Sequence, residues 1–269
     1  MELIHSLILG IVEGVTEFLP ISSTGHMILT SYLLGIQGEV VNAFEVFIQL
    51  GAILAVVVLY RHRFACLFDF KTPGGGFRGI QGWLMLAVTS LPILVLGKLL
   101  EHTIKSHLFN PLTVSWALAL GGVVLIVIER LRFQQAITSL DELDVKSAFK
   151  IGLFQCAALC PGVSRAASTI IGGLFNGLPR TVAAEYSFLA AVPIMMIVCL
   201  KDLLEIWDKL SPHDLTAFGL GFGVAFVSAL LAVKTFILML QRTSMAPFGI
   251  YRIIVAIVFF WLLQNHPLS

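Results

Sequence analysis

Apolar residues in this chain come in long uninterrupted runs, at about 3–12, 18–36, 44–60, 83–100, 111–129, 148–160, 161–178, 184–200, 215–240 and 246–264. About 20 apolar residues are needed for a helix to cross the hydrocarbon of a bilayer, so 44–60, 83–100, 111–129, 184–200, 215–240 and 246–264 read as six crossings. The remaining runs are shorter and broken. Pro20 and the Ser22-Ser23-Thr24-Gly25 stretch interrupt the first two, and Cys160-Pro161-Gly162 interrupts the pair at 148–178. Proline removes a backbone donor and ends a helix, so each pair reads as two half-length helices meeting in a broken loop. Such backbone persists at membrane depth only where it faces protein or a wet cavity.

The breaks repeat. Leu19-Pro20-Ile21-Ser22-Ser23 aligns with Cys160-Pro161-Gly162-Val163-Ser164 at an offset of 141, and Glu45 falls opposite Glu185 at an offset of 140. Each half then holds one broken hairpin followed by three crossings. An odd number of crossings inverts the second half relative to the first. The expected fold is an all-α polytopic membrane protein, an inverted-topology repeat of six transmembrane helices plus two broken re-entrant helical hairpins. It is expected to form one integral membrane domain over 1–269, with repeat 1 at about 1–130 and repeat 2 at about 148–264.

Composition agrees with a membrane as solvent: 58% of residues are hydrophobic and 12% charged, against about 45–50% and 25% in an average soluble domain. Seventeen Lys and Arg against sixteen Asp and Glu leave a net charge of +1. That balance offers no basic surplus for nucleic acid. The basic residues are unevenly placed. With the N-terminus outside, Arg61, Arg63, Lys71, Arg78, Arg130, Arg132, Lys146, Lys150, Arg180 and Arg242 lie inside, whereas Lys98, Lys105, Lys201 and Lys209 lie outside, as the positive-inside bias requires. The N-terminal segment lacks a basic n-region and carries Glu13 where a secretory signal stays apolar, so no cleavage is expected. Cys66, Cys156, Cys160 and Cys199 show no paired metal-binding spacing and read as small apolar residues of the core.

Ionisable residues at membrane depth are costly and mark function by default. Glu13 and Glu17 are four apart and share a helix face. Either a divalent cation, Mg²⁺ or Ca²⁺, neutralises the pair, or one carboxyl is protonated and hydrogen-bonded. Ser22, Ser23 and Thr24 with Gly25 form a loop suited to an anion. His26 is placed to act as base or proton donor beside these hydroxyls, or to be a satisfied core histidine. Arg165 requires an anionic partner at depth; phosphate fits its planar fork bidentately, and Glu13, Glu17 or Glu185 would serve as a salt-bridge partner. Ser164, Ser168 and Thr169 lie close in sequence. Glu45 and Glu185 are expected to accept the orphan amides of the broken loops, with Gln49 in the same supporting role. Arg252 is read as pairing with one of these acids or facing the inner interface. Carboxylates with arginine and serines favour phosphoryl chemistry on a substrate whose apolar part stays in lipid. A secondary transporter of polyprenyl phosphate shares the fold-level features.

The segments EGVTEFLPISSTGH at 13–26 and PGVSRAAST at 161–169 resemble the two signature regions of the BacA-type undecaprenyl pyrophosphate phosphatases, and 44–57 and 184–193 are similar to that family too. The resemblance implies an enzyme of the bacterial inner membrane that removes the terminal phosphate of undecaprenyl pyrophosphate. It also implies bacitracin resistance when abundant, dependence on a divalent cation, an active site open to the periplasmic side, and a homodimer. The implied roles are Ser23 as nucleophile, His26 in proton transfer, and Glu13 and Glu17 in metal binding or in positioning the base. Arg165, Ser22, Thr24, Gly25, Ser164 and Thr169 would hold the pyrophosphate. Direct attack by water, with Ser23 only binding, explains the same residues. Relatives that read PGxSRSG carry a serine where this chain has Ala166, so no hydroxyl is required there.

Overall fold

The computed structural model describes residues 2–71, 76–108, 110–206 and 212–265. Regular structure among the described residues is helical, without a strand. Lys209 lies outside the described residues, as does the side chain of Lys105. Six helices are long and apolar enough to cross a membrane: α3 (Glu39–Leu59), α5 (Gly79–Thr103), α6 (Pro111–Ile128), α9 (Arg180–Ile206), α10 (Pro212–Leu240) and α11 (Ala246–Asn265). They coincide with the six runs expected to cross, and the chain is a multi-pass membrane protein.

The interrupted runs are helix pairs. α1 (Leu3–Thr16) and α2 (Ser23–Leu33) flank the first break, and α7 (Val145–Gln155) and α8 (Arg165–Phe175) flank the second. Two features were not anticipated. A short helix, α4 (Arg61–Cys66), occupies the basic connection after α3, and a π-helical turn at Ile104–Leu108 ends α5. Local chemistry sets several starts. Asn110 caps α6, accepting the Thr113 amide at 2.8 Å, and Pro111 occupies the first turn, where a missing N–H costs nothing. Asp144 caps α7 by accepting the Ser147 amide at 2.8 Å, which starts that helix three residues before its apolar run.

Packing follows the small residues. Gly10 and Gly14 press α1 onto α10; a Cβ at Gly14 would lie 2.4 Å from the Ala225 carbonyl oxygen. Without hydrophobic drive between helices in lipid, such close backbone approach is a main source of association. α3 also packs on α9 and α10, α5 on α7, α6 on α11, and α8 on both α7 and α9. These pairings bring the two breaks together beside α6. A core of Phe18, Ile53, Phe188, Leu189 and Phe236 lies next to them.

Candidate active site at the meeting of two helix breaks

The two breaks share an unusual backbone feature. Ser22 (φ 72°) and Ser164 (φ 73°) are the non-glycine residues with positive φ among those described, a conformation costing about 1–3 kcal/mol unless its surroundings impose it. Each serine caps the helix that follows: Ser22 Oγ accepts the Gly25 amide at 3.4 Å, and Ser164 Oγ accepts the Ala167 amide at 3.2 Å. These serines are 142 residues apart, one more than the sequence alignment gave. The second break has an extra residue between proline and serine, Gly162-Val163 against Ile21 alone. The positional match of Ser23 is therefore Arg165, and the two residues stand at the first helical position of α2 and of α8.

Both side chains meet on Glu17. The Ser23 hydroxyl donates a short hydrogen bond to Glu17 Oε2, and Arg165 Nη2 donates to Glu17 Oε1 at 3.0 Å. Arg165 also donates from Nη1 to the Ser187 carbonyl at 3.1 Å and lies 5.5 Å from the centre of the Phe18 ring. The trio lines a cavity of about 220 Å³, together with Ser22, Thr24, Gln49, Cys160 and Ser164. Ile93 from α5 and Ile194, Met195 and Val198 from α9 supply an apolar wall. Two helix N-termini with their unpaired amides, one guanidinium and a hydroxyl on a carboxylate form a site for an anion attached to something apolar.

Other candidates stand elsewhere. Glu13 is wholly buried, does not line the cavity, and neither of its oxygens has a hydrogen-bond partner; Glu17, Glu45 and Arg165 are the charges acting on it. Gly25 is buried and lies outside the cavity lining. Thr169 turns away as well, bonding to the Arg165 carbonyl at 3.0 Å and to Ser187 Oγ at 2.6 Å, so it steadies the residue whose carbonyl holds Arg165. The expectation that Glu45 and Glu185 accept loop amides is corrected. Glu45 accepts the Ser31 hydroxyl at 2.6 Å, and Glu185 pairs with Arg63 at 2.9 Å in a cluster with Asp141. Gln49 does reach the cavity, and its Oε1 accepts the Cys199 thiol at 3.4 Å. Of the cysteines, Cys199 is buried, while Cys160 is half-exposed in the cavity wall.

His26 holds the turn instead of facing Ser23. Its Nδ1 lies 2.7 Å from the Ser22 carbonyl, which can only accept, so Nδ1 carries the proton. Nε2 then accepts from the Tyr251 hydroxyl at 2.8 Å, with the two rings stacked. A clasp of this kind explains how Ser22 keeps its strained φ. Tyr251→Phe removes one hydrogen bond from the clasp, for which about 1 kcal/mol of stability is expected, and the phosphate release that the family resemblance implies should fall less than about fivefold. A fall of a hundredfold, measured on folded protein, would instead put Nε2 in the proton path.

Arg252 is the residue that the sequence left unplaced. It is wholly buried and donates to five carbonyls: Leu118 (3.3 Å) and Ala117 (3.0 Å) of α6, Pro20 (3.2 Å) of the first break, and Gly162 (2.9 Å) and Val163 (3.0 Å) of the second. Both expectations for it, an acidic partner or the inner interface, are thereby corrected. All five N–H groups are used, so Arg252 fixes the two breaks against α6 and has no donor left for substrate.

Comparison with known proteins identifies the family. The family described as bacitracin resistance protein BacA matches residues 6–258. The chain belongs to that family. Among its relatives are proteins named undecaprenyl-diphosphatase from Maridesulfovibrio salexigens (51% identical over 97% of this chain and 99% of the relative), Oleidesulfovibrio alaskensis (48%, 97% and 99%) and Wolinella succinogenes (48%, 98% and 99%). The positions assembled above all fall inside the matched segment.

Proposed function

We propose that this BacA-family chain is an undecaprenyl-diphosphatase, a hydrolase that cleaves the anhydride of the lipid pyrophosphate and yields undecaprenyl phosphate. The observation that carries the assignment of residues is Glu17, whose two oxygens engage the Ser23 hydroxyl and the Arg165 guanidinium inside one cavity. In this reading Glu17 takes the Ser23 proton as Oγ attacks the distal phosphorus. The bond from that phosphorus to the bridging oxygen breaks, and undecaprenyl phosphate departs. Water then cleaves the phosphoserine, releasing phosphate and returning the proton to Ser23. The remaining N–H groups of Arg165 and the first-turn amides of α2 and α8 stabilise the charge developing on the transferred phosphoryl group. Ile93, Ile194, Met195 and Val198 face the lipid portion.

A divalent cation fits the donors in part. Glu13 offers two buried carboxylate oxygens without partners, one helical turn from Glu17, with Gln49 nearby in the cavity wall. Among the described residues no group of three or more His, Cys, Asp or Glu gathers at one point. Glu17 would therefore hold the ion in the cavity jointly with substrate phosphate and water, as Mg²⁺ commonly is held, with the buried Glu13 one turn behind it adding negative charge. When bound, it would neutralise pyrophosphate charge.

Within the same proposal, the halves 1–130 and 148–264 are inverted repeats of a single domain in the bacterial inner membrane. The α1–α2 and α7–α8 pairs are re-entrant, and the cavity opens to the periplasmic side. Supporting this, several helix pairs survive exchange of the halves: α1 on α10 becomes α7 on α5, while α3 on α9 and α6 on α11 map onto themselves, although the α8–α9 packing has no equally close counterpart between α2 and α3.

The test is phosphate release from undecaprenyl pyrophosphate by detergent-purified protein. Wild type is expected to release phosphate, EDTA to suppress it with recovery on added Mg²⁺ or Ca²⁺, and Ser23→Ala to lower it by about 10³-fold or more. Rapid quench during turnover should trap phosphate on Ser23. Release that survives Ser23→Ala within tenfold would leave water as the attacking group, and folded wild type that binds the lipid without releasing phosphate would favour a carrier.

A further inference from the structure

At the basic end of the molecule, far along α6 from the reaction cavity, a second cavity of about 390 Å³ lies between the end of α6, the segment that follows it, and the start of α9. Arg130, Arg132 and Arg180 line it against one carboxylate, Glu129. That carboxylate is already committed. Its side chain is 5% exposed, both its oxygens accept from Arg180, and Oε1 also accepts the Met245 amide at 3.0 Å. Arg130 and Arg132 have no carboxylate partner among the described residues, and both are exposed. The N-terminus of α9, 27 residues long, opens at Arg180 and adds the positive end of its dipole.

The surroundings of this cavity say what kind of anion it suits. Leu120, Val124 and Val127 are each at least 45% exposed and recur at three- or four-residue spacing, so they form one stripe along the lipid-facing side of α6, and Leu131, 48% exposed, follows just beyond the end of that helix. The stripe runs directly into the cavity, whose wall includes Leu131 and Phe133. Phe133 packs edge-on to Phe175 at 5.0 Å, which gives the cavity an apolar aromatic wall beside Leu131. A soluble anion would use the arginines alone; an amphiphile would use both the arginines and the stripe.

We propose that this cavity binds the phosphodiester headgroup of an anionic membrane lipid, with Arg130 and Arg132 on the phosphate and one acyl chain along the α6 stripe. Arg180 is the fixed wall of the site, held by Glu129. Basic pockets between transmembrane helices recognise lipid headgroups in this way, and each arginine near the surface contributes enough that two give about a thirtyfold preference over a zwitterionic lipid. The site stands apart from the phosphatase cavity and does not depend on its chemistry.

The experiment reconstitutes full-length wild type and the R130Q/R132Q variant into nanodiscs of phosphatidylcholine with a minor share of phosphatidylglycerol. Lipid retained after ejection is then identified by mass spectrometry of the intact protein. Wild type should retain phosphatidylglycerol with about thirtyfold preference, and the variant should fall to within about threefold of no preference. Phosphate release in pure phosphatidylcholine should stay unchanged, which reports that the variant is folded. R130K/R132K should keep most of the preference, and Arg132→Gln alone decides the matter if the double variant does not fold. Equal retention by wild type and a folded variant would overturn the site. Displacement of the retained lipid by inorganic phosphate at millimolar concentration would overturn the lipid assignment in favour of a soluble anion.

Discussion

Replacing Arg165 with alanine is expected to lower phosphate release from undecaprenyl pyrophosphate by about a thousandfold or more, and replacing it with lysine by about a hundredfold. Two effects add in the alanine variant. A preorganised donor to the transferring phosphoryl group is worth about 10²–10³ in rate, and removing one partner of a buried pair leaves Glu17 without its counter-charge, a loss of about 3–5 kcal/mol. Glu17 also accepts from Ser23, so its position and its fitness as a base both suffer. Lysine restores the charge without the fork: one ammonium cannot reach Glu17, the Ser187 carbonyl and a phosphate with the guanidinium's geometry. The lysine variant should therefore keep near-wild-type thermal stability while losing turnover. Steady-state phosphate release beside a thermal melt separates the two effects, and a lysine variant working at the wild-type rate would remove Arg165 from phosphate binding.

Legibility in the sequence followed the cost of polarity in lipid. Six crossings, two breaks, Glu17, Ser23 and Arg165 stand out because hydrocarbon does not tolerate charges, hydroxyl clusters or proline turns without cause. Partnerships were harder to read. Glu45 and Glu185 look equivalent by spacing, yet one binds Ser31 within the bundle and the other Arg63 at its basic end. His26 lies beside three hydroxyls in sequence but, one turn into α2, its ring points back to the Ser22 carbonyl and across to Tyr251, 225 residues away. Proline is conspicuous in a sequence and a positive φ is not, so aligning the breaks on their prolines gives an offset of 141 and aligning them on their turning serines gives 142. The turning points are Ser22 and Ser164, and the second break reaches its serine one residue later. No local signal encodes that Tyr251 and Arg252, neighbours on α11, serve both breaks. Only the depth of a charged residue in an apolar run marked Arg252, and its partners are neutral carbonyls that no search for acidic partners would find.

Arg252 carries the second large expectation: Arg252→Met should lower stability by several kcal/mol and abolish most phosphate release although Arg252 touches no substrate. The Ala117 and Leu118 carbonyls keep their helical partners within α6. The Pro20, Gly162 and Val163 carbonyls lie in the breaks, outside any helical ladder. A buried acceptor left unpaired costs about 1–3 kcal/mol, and three such losses fall on the segments that aim Ser23 and Arg165 at each other. Arg252→Lys keeps the charge but supplies three donors to five carbonyls and should recover only part of the stability. Gly121→Ala probes the same contact from α6, since a Cβ there would stand 2.0 Å from Arg252 Nη2 and would have to displace the guanidinium. A positioning role predicts that in all three variants turnover falls in step with the melting temperature, while KM for the lipid, measured on the folded fraction, changes less than kcat. Were Arg252 instead a phosphate ligand, Arg252→Met and Gly121→Ala, which moves the same guanidinium, would both raise KM sharply while kcat changed less.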